Sequence, residues 1–454
     1  LLVSLNATQN QKLFVGITTT TASYQSALQV ARTVREIAPH AIVILGGHHV
    51  SADPDIVLRK HSDIVDVIVI GEGERSLCEI VSHFPSISSI PGIAYMRDHE
   101  HPRHTGSPKP LTPDELDSIP ITYGAHGFIG TPGKFDHATY VSARGCPLQC
   151  AFCAVGNDEI RGKSIPVVVR DIENLLHMGF SRIAIEDNFF AHSYTRTKDI
   201  CEALASIKRR WKGSFSWDCQ TRVESLARKD TIDLMNKAGC EAVYVGVESF
   251  HPDQLAYLNK TEHPERYLRC LTDSVIPVLL ETNINCYLNL QFGLPGETVE
   301  HERKTFDVLS RMGREANMRG KRITIFPQLH VVYPGTAHFR QGVSQGRFPS
   351  DVFESFTEWE FNQTPVMFWL GEHFAHGTGG LPEGILRAER LRNGKYEVDT
   401  EAVCRISAVL RSIDRIQGVC TFDYGDYLVA TASRPRSPDV QKMMSETKQR
   451  KDVT

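Results

Sequence analysis

The sequence predicts an α/β protein in which a doubly wound, Rossmann-like parallel sheet precedes a partial (βα)6 TIM-type barrel and a small C-terminal domain. Three observations carry that expectation. Short apolar runs alternate with helix-period segments through roughly the first ninety residues, a similar alternation resumes near residue 136, and an irregular stretch separates the two series. The 454 residues, 41% hydrophobic and 23% charged, are enough for two or three domains with cores of their own. The expected divisions are a first domain at 1–96, a linker at 97–135, the barrel at 136–340 and a substrate-capping or accessory domain at 341–454.

In the first series, "LFVGITTT" is an apolar run ending in hydroxyl residues, and "SALQVARTVREIA" places Ala27, Val30, Ala31, Val34 and Ile37 on one helical face. "AIVILGGHH" is a continuous apolar strand of the type buried on both faces. A short helix around "DIVLRK", the strand "VDVIVIGEGE" and the helix "RSLCEIVSHF" complete the alternation. Ligands of such sheets bind beyond the carboxyl ends of the strands. Thr18, Thr19, Thr20 and Thr21 fall at one such end, Gly46, Gly47, His48 and His49 at the next, and Gly71, Glu72, Gly73 and Glu74 at the third. Glycines also terminate strands without binding anything. Three polar or glycine-rich exits on one side favour a ligand.

From "MRDHEHPRHTGSPKPLTPDELDSIP" the periodicity disappears and Pro, His and charged residues crowd in, the composition of a linker. His99, His101 and His104 suit a solvated run there better than a metal cluster. The second series then offers six strands: "HATYVSARG", "RIAIEDNFF", "SFSWDCQTR", "AVYVGVES", "INCYLNLQFGLPGE" and "RITIFPQLHVVYPG". Helical stretches separate most of them, which predicts a barrel or partial barrel with its chemistry at the carboxyl ends of the strands. Beyond it, an aromatic and His-rich stretch, the helix-like "VCRISAVLRSIDRI" and a charged tail expected to be disordered are the features of the C-terminal part.

Charge and composition exclude some classes of function. A net charge of -4 and a pI near 6.6 give no electrostatic case for nucleic acid or an anionic membrane. The longest apolar runs are strand-length, so no membrane span is expected. The start, "LLVSLNATQNQK", lacks an initiator Met and a basic n-region, so an interior starting point is expected rather than a signal peptide. Eleven scattered cysteines without a secretory signal argue for a reducing cytoplasm and against a disulfide framework.

"SARGCPLQCAFCAVG" sets Cys146, Cys150 and Cys153 within eight positions at the end of the first barrel strand. A C-x3-C-x2-C loop needs a fourth ligand from elsewhere to make a tetrahedral zinc site, and no second C-x2-C pair exists. Three thiolates on a four-iron cluster leave one iron open for a small molecule. Zinc completed from elsewhere, a redox pair, and thiols packed as small hydrophobes are the other readings.

With these residues the sequence resembles the radical S-adenosylmethionine (AdoMet) enzymes, Phe152 standing as the usual aromatic before the last cysteine. "ILGGHH" and "VIGEGE" ahead of the cysteines, and "EDNFF", "WDCQTRVESL", "AGCEAVYVGVES" and "FGLPGET" after them, resemble the cobalamin-binding subgroup, over roughly residues 13 to 340. A complete cobalamin domain would have another strand before "LFVGI", often with a D-x-H-x-x-G loop, and this chain shows neither. The resemblance implies a [4Fe-4S] cluster on the three cysteines, AdoMet on the open iron and cobalamin between sheet and barrel. Thr18, Thr19, Thr20, Gly46, Gly47, His49, Gly71, Glu72 and Gly73 are the residues it implies near cobalamin.

For AdoMet the implied contacts follow strand by strand. Glu186 and Asp187 end the second strand, where a carboxylate can accept from the methionine ammonium. Arg222 ends the third, where a guanidinium can fork onto the methionine carboxylate. Glu248 is placed to accept from ribose hydroxyls, and Gly293 and Gly296 give a turn that lets backbone approach the adenine. Each alone suits a helix cap or an ion pair equally well. Trp217, Tyr244 and Tyr287 suit core or pocket wall.

The resemblance leads to a cobalamin-dependent methyltransferase: cobalamin takes a methyl from one AdoMet, a deoxyadenosyl radical from another abstracts a substrate hydrogen, and the carbon radical takes the methyl. A non-methylating cyclase or oxidoreductase with the same cofactors is the alternative, because the cofactors carry the chemistry and the pocket decides the outcome. A non-enzymatic cobalamin or iron-sulfur sensor is a third. A small-molecule or peptide substrate and an external electron donor such as flavodoxin or ferredoxin are the expected partners, with no nucleic acid and no membrane.

Overall fold

The structure is a computed structural model that describes residues 12–98, 100–122 and 137–354, together with short stretches between 381 and 421. The tail, most of the helix-like segment 403–416 and most of the expected C-terminal domain lie outside the described residues.

The N-terminal sheet has five strands in sequential order, β1 (Phe14–Thr18), β2 (Ile42–Gly46), β3 (Val67–Val69), β4 (Ile93–Met96) and β5 (Pro102–His104). β1, β2 and β3 are parallel, while β4 and β5 run antiparallel to their neighbours, so the sheet is mixed at one edge. Helices cover both faces. Helix Tyr24–Ile37 buries Tyr24, Leu28, Ala31 and Val34 with Val43 and Leu45 of β2 and Val57 and Leu58 of helix Pro54–His61. Val30 and Ile37, expected on that face, are exposed at 49% and 59%. Helix Glu74–His83 packs Ile80 on the other face, with Ile44, Val67, Val69 and Ile93. Burial on both faces is why β2 and β3 are apolar throughout.

The stretch from residue 97 contains more structure than its composition suggests. Asp98 turns the chain by accepting from Glu100 N and His101 N, at 3.0 and 2.9 Å, and β5 then pairs with β4. His101 bonds to Asp98 and His104 to Asp55, so these two imidazoles do not converge on a metal. Thr112 and Glu115 form a capping box at helix Pro113–Ser118. Residues 123–136 lie outside the described residues.

The second sheet is parallel. Its order is the strand Val419–Thr421, then β13 (Ile323–Leu329), β12 (Asn285–Phe292), β11 (Cys240–Glu248), β10 (Ser216–Thr221), β9 (Arg182–Ile185) and β6 (His137–Tyr140). All six expected barrel strands are present in chain order, and the strand from 419–421 adds a seventh from within the segment expected to be separate. A hairpin of β7 (Ala143–Arg144) and β8 (Arg161–Gly162) closes the loop that carries the cysteines. Along β10 burial alternates, Trp217, Cys219 and Thr221 facing the helices and Ser216, Asp218 and Gln220 facing the barrel interior. The outer faces pack with helices Ile165–His177, Tyr194–Arg210, Lys229–Ala238 and Val299–Met318 into one core. Among the described residues no helix is long and apolar enough to cross a membrane.

Candidate active site

Cys146, Cys150 and Cys153 are free and half-buried, on the loop that leaves β6. Asp158 N donates to Cys146 O and Asn157 N to Leu148 O, each at 2.9 Å, so the loop folds back on itself. Other strand exits pin it. Ala151 N donates to Leu258 O at 2.9 Å, Asn259 Nδ2 to Gln149 O at 2.7 Å, and His338 N to Ala151 O at 3.0 Å. Burial pushes the Cys153 thiol up, and Cys150 and Cys146 beside it add to that.

Asp187 is not aimed at the site. Its Oδ1 accepts from Ser142 N at 2.6 Å and Ala143 N at 2.8 Å, and its Oδ2 from Ser142 Oγ at 2.5 Å. The carboxyl is buried, which raises its pKa, while these donors work the other way. Its role here is to hold the chain where it leaves β6. Glu186, next to it, is exposed, and its backbone N donates to Tyr140 O at 2.8 Å.

Arg222 is also committed. Its guanidinium meets both oxygens of Glu224, at 3.3 and 3.0 Å, donates to the carbonyl of Lys260 and lies 3.6 Å from Cys150 Sγ. It belongs to the surroundings of the cysteine loop rather than standing free for a carboxylate. A cavity of about 700 Å3 outside that loop is lined by Arg222, Lys260, Arg266 and Tyr267, among others.

Glu248 sits at a break in the register of β11 with φ of 70°, a backbone conformation uncommon for a residue with a side chain. Its buried carboxylate accepts from Lys260 Nζ at 2.9 Å and Gln291 Nε2 at 2.8 Å, and Gln291 Oε1 lies 2.7 Å from His330 Nδ1. A Cβ on Gly246 would stand 2.7 Å from Glu248 Oε1 and 2.8 Å from Lys260 Nζ, so only glycine leaves room for the pair. The exits of β11, β12 and β13 are thus joined by one polar chain. Lys260 and His330 carry no sequence signal. Gln291 does, because Tyr287, Asn289 and Gln291 continue the period of two along β12.

Inside the barrel Tyr244 and Tyr287 stack at 4.7 Å and Phe326 meets Tyr244 edge-on at 6.4 Å. Trp217 points the other way, into the core, with Nε1 donating to Ala238 O at 3.0 Å. Burial, then the neighbouring Glu186, pushes the Asp218 carboxyl up to about 6. Asp218 lies on the inner face and was not among the expected site residues. The turn after β12 is closed by Gly293 N donating to Glu297 Oε2 at 2.6 Å, with Gly293 and Gly296 both at positive φ.

The N-terminal strand exits come together. Thr19 N donates to Gly46 O at 2.7 Å and Gly71 N to Ser51 Oγ at 3.1 Å. Thr18, Thr20 and Gly71 are exposed, Gly46 and Gly47 half-buried, and Gly73 precedes helix Glu74–His83. Thr19 is buried, its Oγ1 on Gly46 O, and His49 is buried against Tyr24 with ring centroids 3.9 Å apart. Both support the fold of the edge. Glu72 reaches across to the barrel, taking Arg161 in a two-pronged ion pair and accepting from Leu111 N at 2.7 Å. Arg144 bonds to Glu74 at 2.6 Å, and a Cβ on Gly335, beyond β13, would stand 3.1 Å from Ala52 Cβ. The exits of the N-terminal sheet therefore meet the barrel on two flanks.

Comparison with known proteins agrees with this arrangement. The B12 binding domain family matches residues 6–81, and the radical SAM superfamily matches residues 140–309. The chain therefore combines a B12-binding domain with a radical SAM domain. An uncharacterized methyltransferase of Pyrococcus horikoshii, PH0819, is 26% identical over 66% of this chain and 64% of its own length. The cobalamin-dependent radical SAM methyltransferase TokK of Streptomyces tokunonensis is 25% identical over 82% of this chain and 56% of its own length. The chain thus spans less than two thirds of either curated relative. The structure of the radical AdoMet methyltransferase TsrM of Kitasatospora setae matches the fold with a TM-score of 0.68 at 16% identity, over 90% of this chain and 80% of that one.

The cofactors of the family are a [4Fe-4S] cluster, AdoMet and cobalamin. Three free, half-buried thiols on one pinned loop are a donor set that suits iron–sulfur. In this radical SAM barrel the polar chain at Glu248 and the turn at 293–296 sit at the exits of β11 and β12. The B12-binding half presents short side chains and backbone at its exits, which suits close approach by a large polar ligand.

Proposed function

We propose that the protein is a cobalamin-dependent radical SAM methyltransferase that methylates an unactivated carbon of a small molecule or peptide. One observation carries this reading: the strand exits of the B12-binding sheet meet the barrel mouth beside the loop of Cys146, Cys150 and Cys153. Bound together, the three cofactors supply methyl transfer and hydrogen abstraction, and the chain's own residues bind, orient and exclude water. Cys146, Cys150 and Cys153 would hold the cluster. Glu248, fixed by Lys260 and Gln291, would accept from the ribose, and Gly293 and Gly296 would border the adenine. Glu186 is the carboxylate left to meet the methionine ammonium. Thr18, Thr20, Gly46, Gly47, Gly71 and Gly73 would line the cobalamin cleft, with Thr19, His49 and Glu72 behind them.

The boundaries near residues 97 and 136, a capping role for 341–454, an electron donor of the flavodoxin or ferredoxin type and a cytoplasmic location belong to the same proposal. Its test is product analysis of the full-length protein, reconstituted anaerobically with cluster and cobalamin and given AdoMet, reductant and a metabolite extract of its native host. S-adenosylhomocysteine together with 5′-deoxyadenosine is the expected result. Deoxyadenosine alone would support the non-methylating cyclase or oxidoreductase, and no cleavage of AdoMet would overturn both.

A further inference from the structure

We propose that His251, Asp253 and His301 form a binding site for a divalent transition metal of the zinc type, separate from the cysteine loop, that fastens the exit of β11 to the exit of β12. His251 and Asp253 follow β11, and His301 stands in the first turn of helix Val299–Met318, beyond β12 and its glycine turn. The donor atoms converge. His301 Nε2 lies 3.0 Å from Asp253 Oδ2 and His251 Nδ1 lies 3.5 Å from Asp253 Oδ1, with all three ligand atoms within 4.8 Å of one another. A tetrahedral zinc with bonds of about 2.0 to 2.1 Å spaces its donors about 3.3 Å apart, and since the two imidazoles here face different oxygens of Asp253, binding through one oxygen would draw the ligands together.

The donor set also fits chemically. Two imidazoles and one carboxylate are ligands that zinc accepts, and three protein ligands leave one position for water. The imidazoles are shielded, at 12% and 13% side-chain exposure, whereas Asp253 is 67% exposed and opens the site to incoming metal. Thr298 provides the outer support. Its backbone N–H donates to His301 Nδ1 at 3.1 Å and its Oγ1 lies 2.7 Å from the same nitrogen, which fixes the ring with Nε2 turned toward Asp253. Both histidines lie at the starts of helices, whose positive ends disfavour a cation. The Asp253 carboxylate between them offsets that.

Without metal, the two histidines contact Asp253 directly, so occupancy must be measured. The full chain, carrying its reconstituted cluster and stripped of loose metal with chelator, is equilibrated with micromolar zinc chloride and desalted. One zinc per chain in addition to the iron is expected, with X-ray absorption showing only nitrogen and oxygen neighbours. His251→Ala and His301→Ala should each lose that zinc while iron content and the far-UV circular dichroism of the folded chain stay unchanged. Sulfur neighbours at about 2.3 Å would place the metal on cysteines and overturn the proposal. Failure to retain zinc, or undiminished zinc in both variants, would overturn it as well. None of these outcomes depends on the reaction proposed above, since the readout is zinc rather than turnover.

Discussion

Glu72 and Arg161 join the B12-binding sheet to the barrel through two parallel contacts, Nη2 to Oε1 at 2.7 Å and Nη1 to Oε2 at 3.1 Å. Burial alone would raise the Glu72 carboxyl, but the Arg161 fork and the Leu111 N–H outweigh it and hold the group below the usual glutamate range. A depressed carboxylate contributes its stability above the ordinary pKa of about 4.3 and loses it as pH falls through the lower folded value. Glu72→Gln should therefore lower the melting midpoint at pH 7, and the difference from wild type should vanish in acid below pH 4. Water still reaches both groups, so about 1 kcal/mol is the expected coupling in a double-mutant cycle with Arg161→Met. Additive losses in that cycle would show that the pair does not hold the halves together.

Arg222 and Glu248 should separate under mutation. Because the guanidinium touches Cys150 Sγ and ties down the Lys260 carbonyl, Arg222→Ala should reduce the iron retained after desalting. Glu248→Gln keeps a polar group of the same size against Gln291 and Lys260, so iron should stay normal. Losing a charge-assisted contact costs about 1.5 to 3 kcal/mol, which weakens AdoMet binding by roughly 10- to 150-fold. Iron assays and AdoMet titration of the two reconstituted variants decide it. Normal iron with weak AdoMet binding in Arg222→Ala would return that residue to the methionine carboxylate.

Asp218 gives a pH signature of the opposite sign. Its folded pKa is raised to about 6, so its contribution is most favourable below the ordinary aspartate value and is lost as pH rises through about 6. Asp218→Asn should accordingly melt higher than wild type at pH 8, with the gap closing toward pH 4. Thermal melts at the two pH values are the check, and a gap of equal size at both would remove the assignment.

The strands and the cysteine loop were legible because their signals are local. Six barrel strands follow from periodicity and from the glycines and charges between them, and the three-thiol spacing stands on eight residues of chain. What escaped depends on contacts remote in sequence or on side-chain direction. Val419–Thr421 joins the sheet beside β13 from about a hundred residues away, which no window on the sequence can reveal. Asp187 and Glu186 are adjacent, yet one is buried on Ser142 and the other stays exposed. Glu72 lies in the expected loop but spends its carboxylate on Arg161. The turn at Asp98 and the capping box of Thr112 with Glu115 carried local signals, in "RDHEH" and "TPDE", that a linker composition concealed.

The sharpest test of the cysteine loop avoids the cysteines. Gly145 precedes Cys146 with φ of 93°, and a Cβ there would stand 2.2 Å from Glu159 O. That oxygen belongs to the returning arm of the loop, just before β8, so relief requires β7 and β8 to move apart. Backbone strain of this kind costs about 1 to 3 kcal/mol before the clash is counted. Gly145→Ala should leave the barrel core intact, since that core is built from the outer faces of the strands and their helices. The thiols should no longer converge. The expected outcome is a protein with wild-type far-UV circular dichroism and less than half the wild-type iron after anaerobic reconstitution. Full iron incorporation would show that the loop tolerates the side chain, and that the fold around residues 145 to 159 does not set the positions of the three ligands.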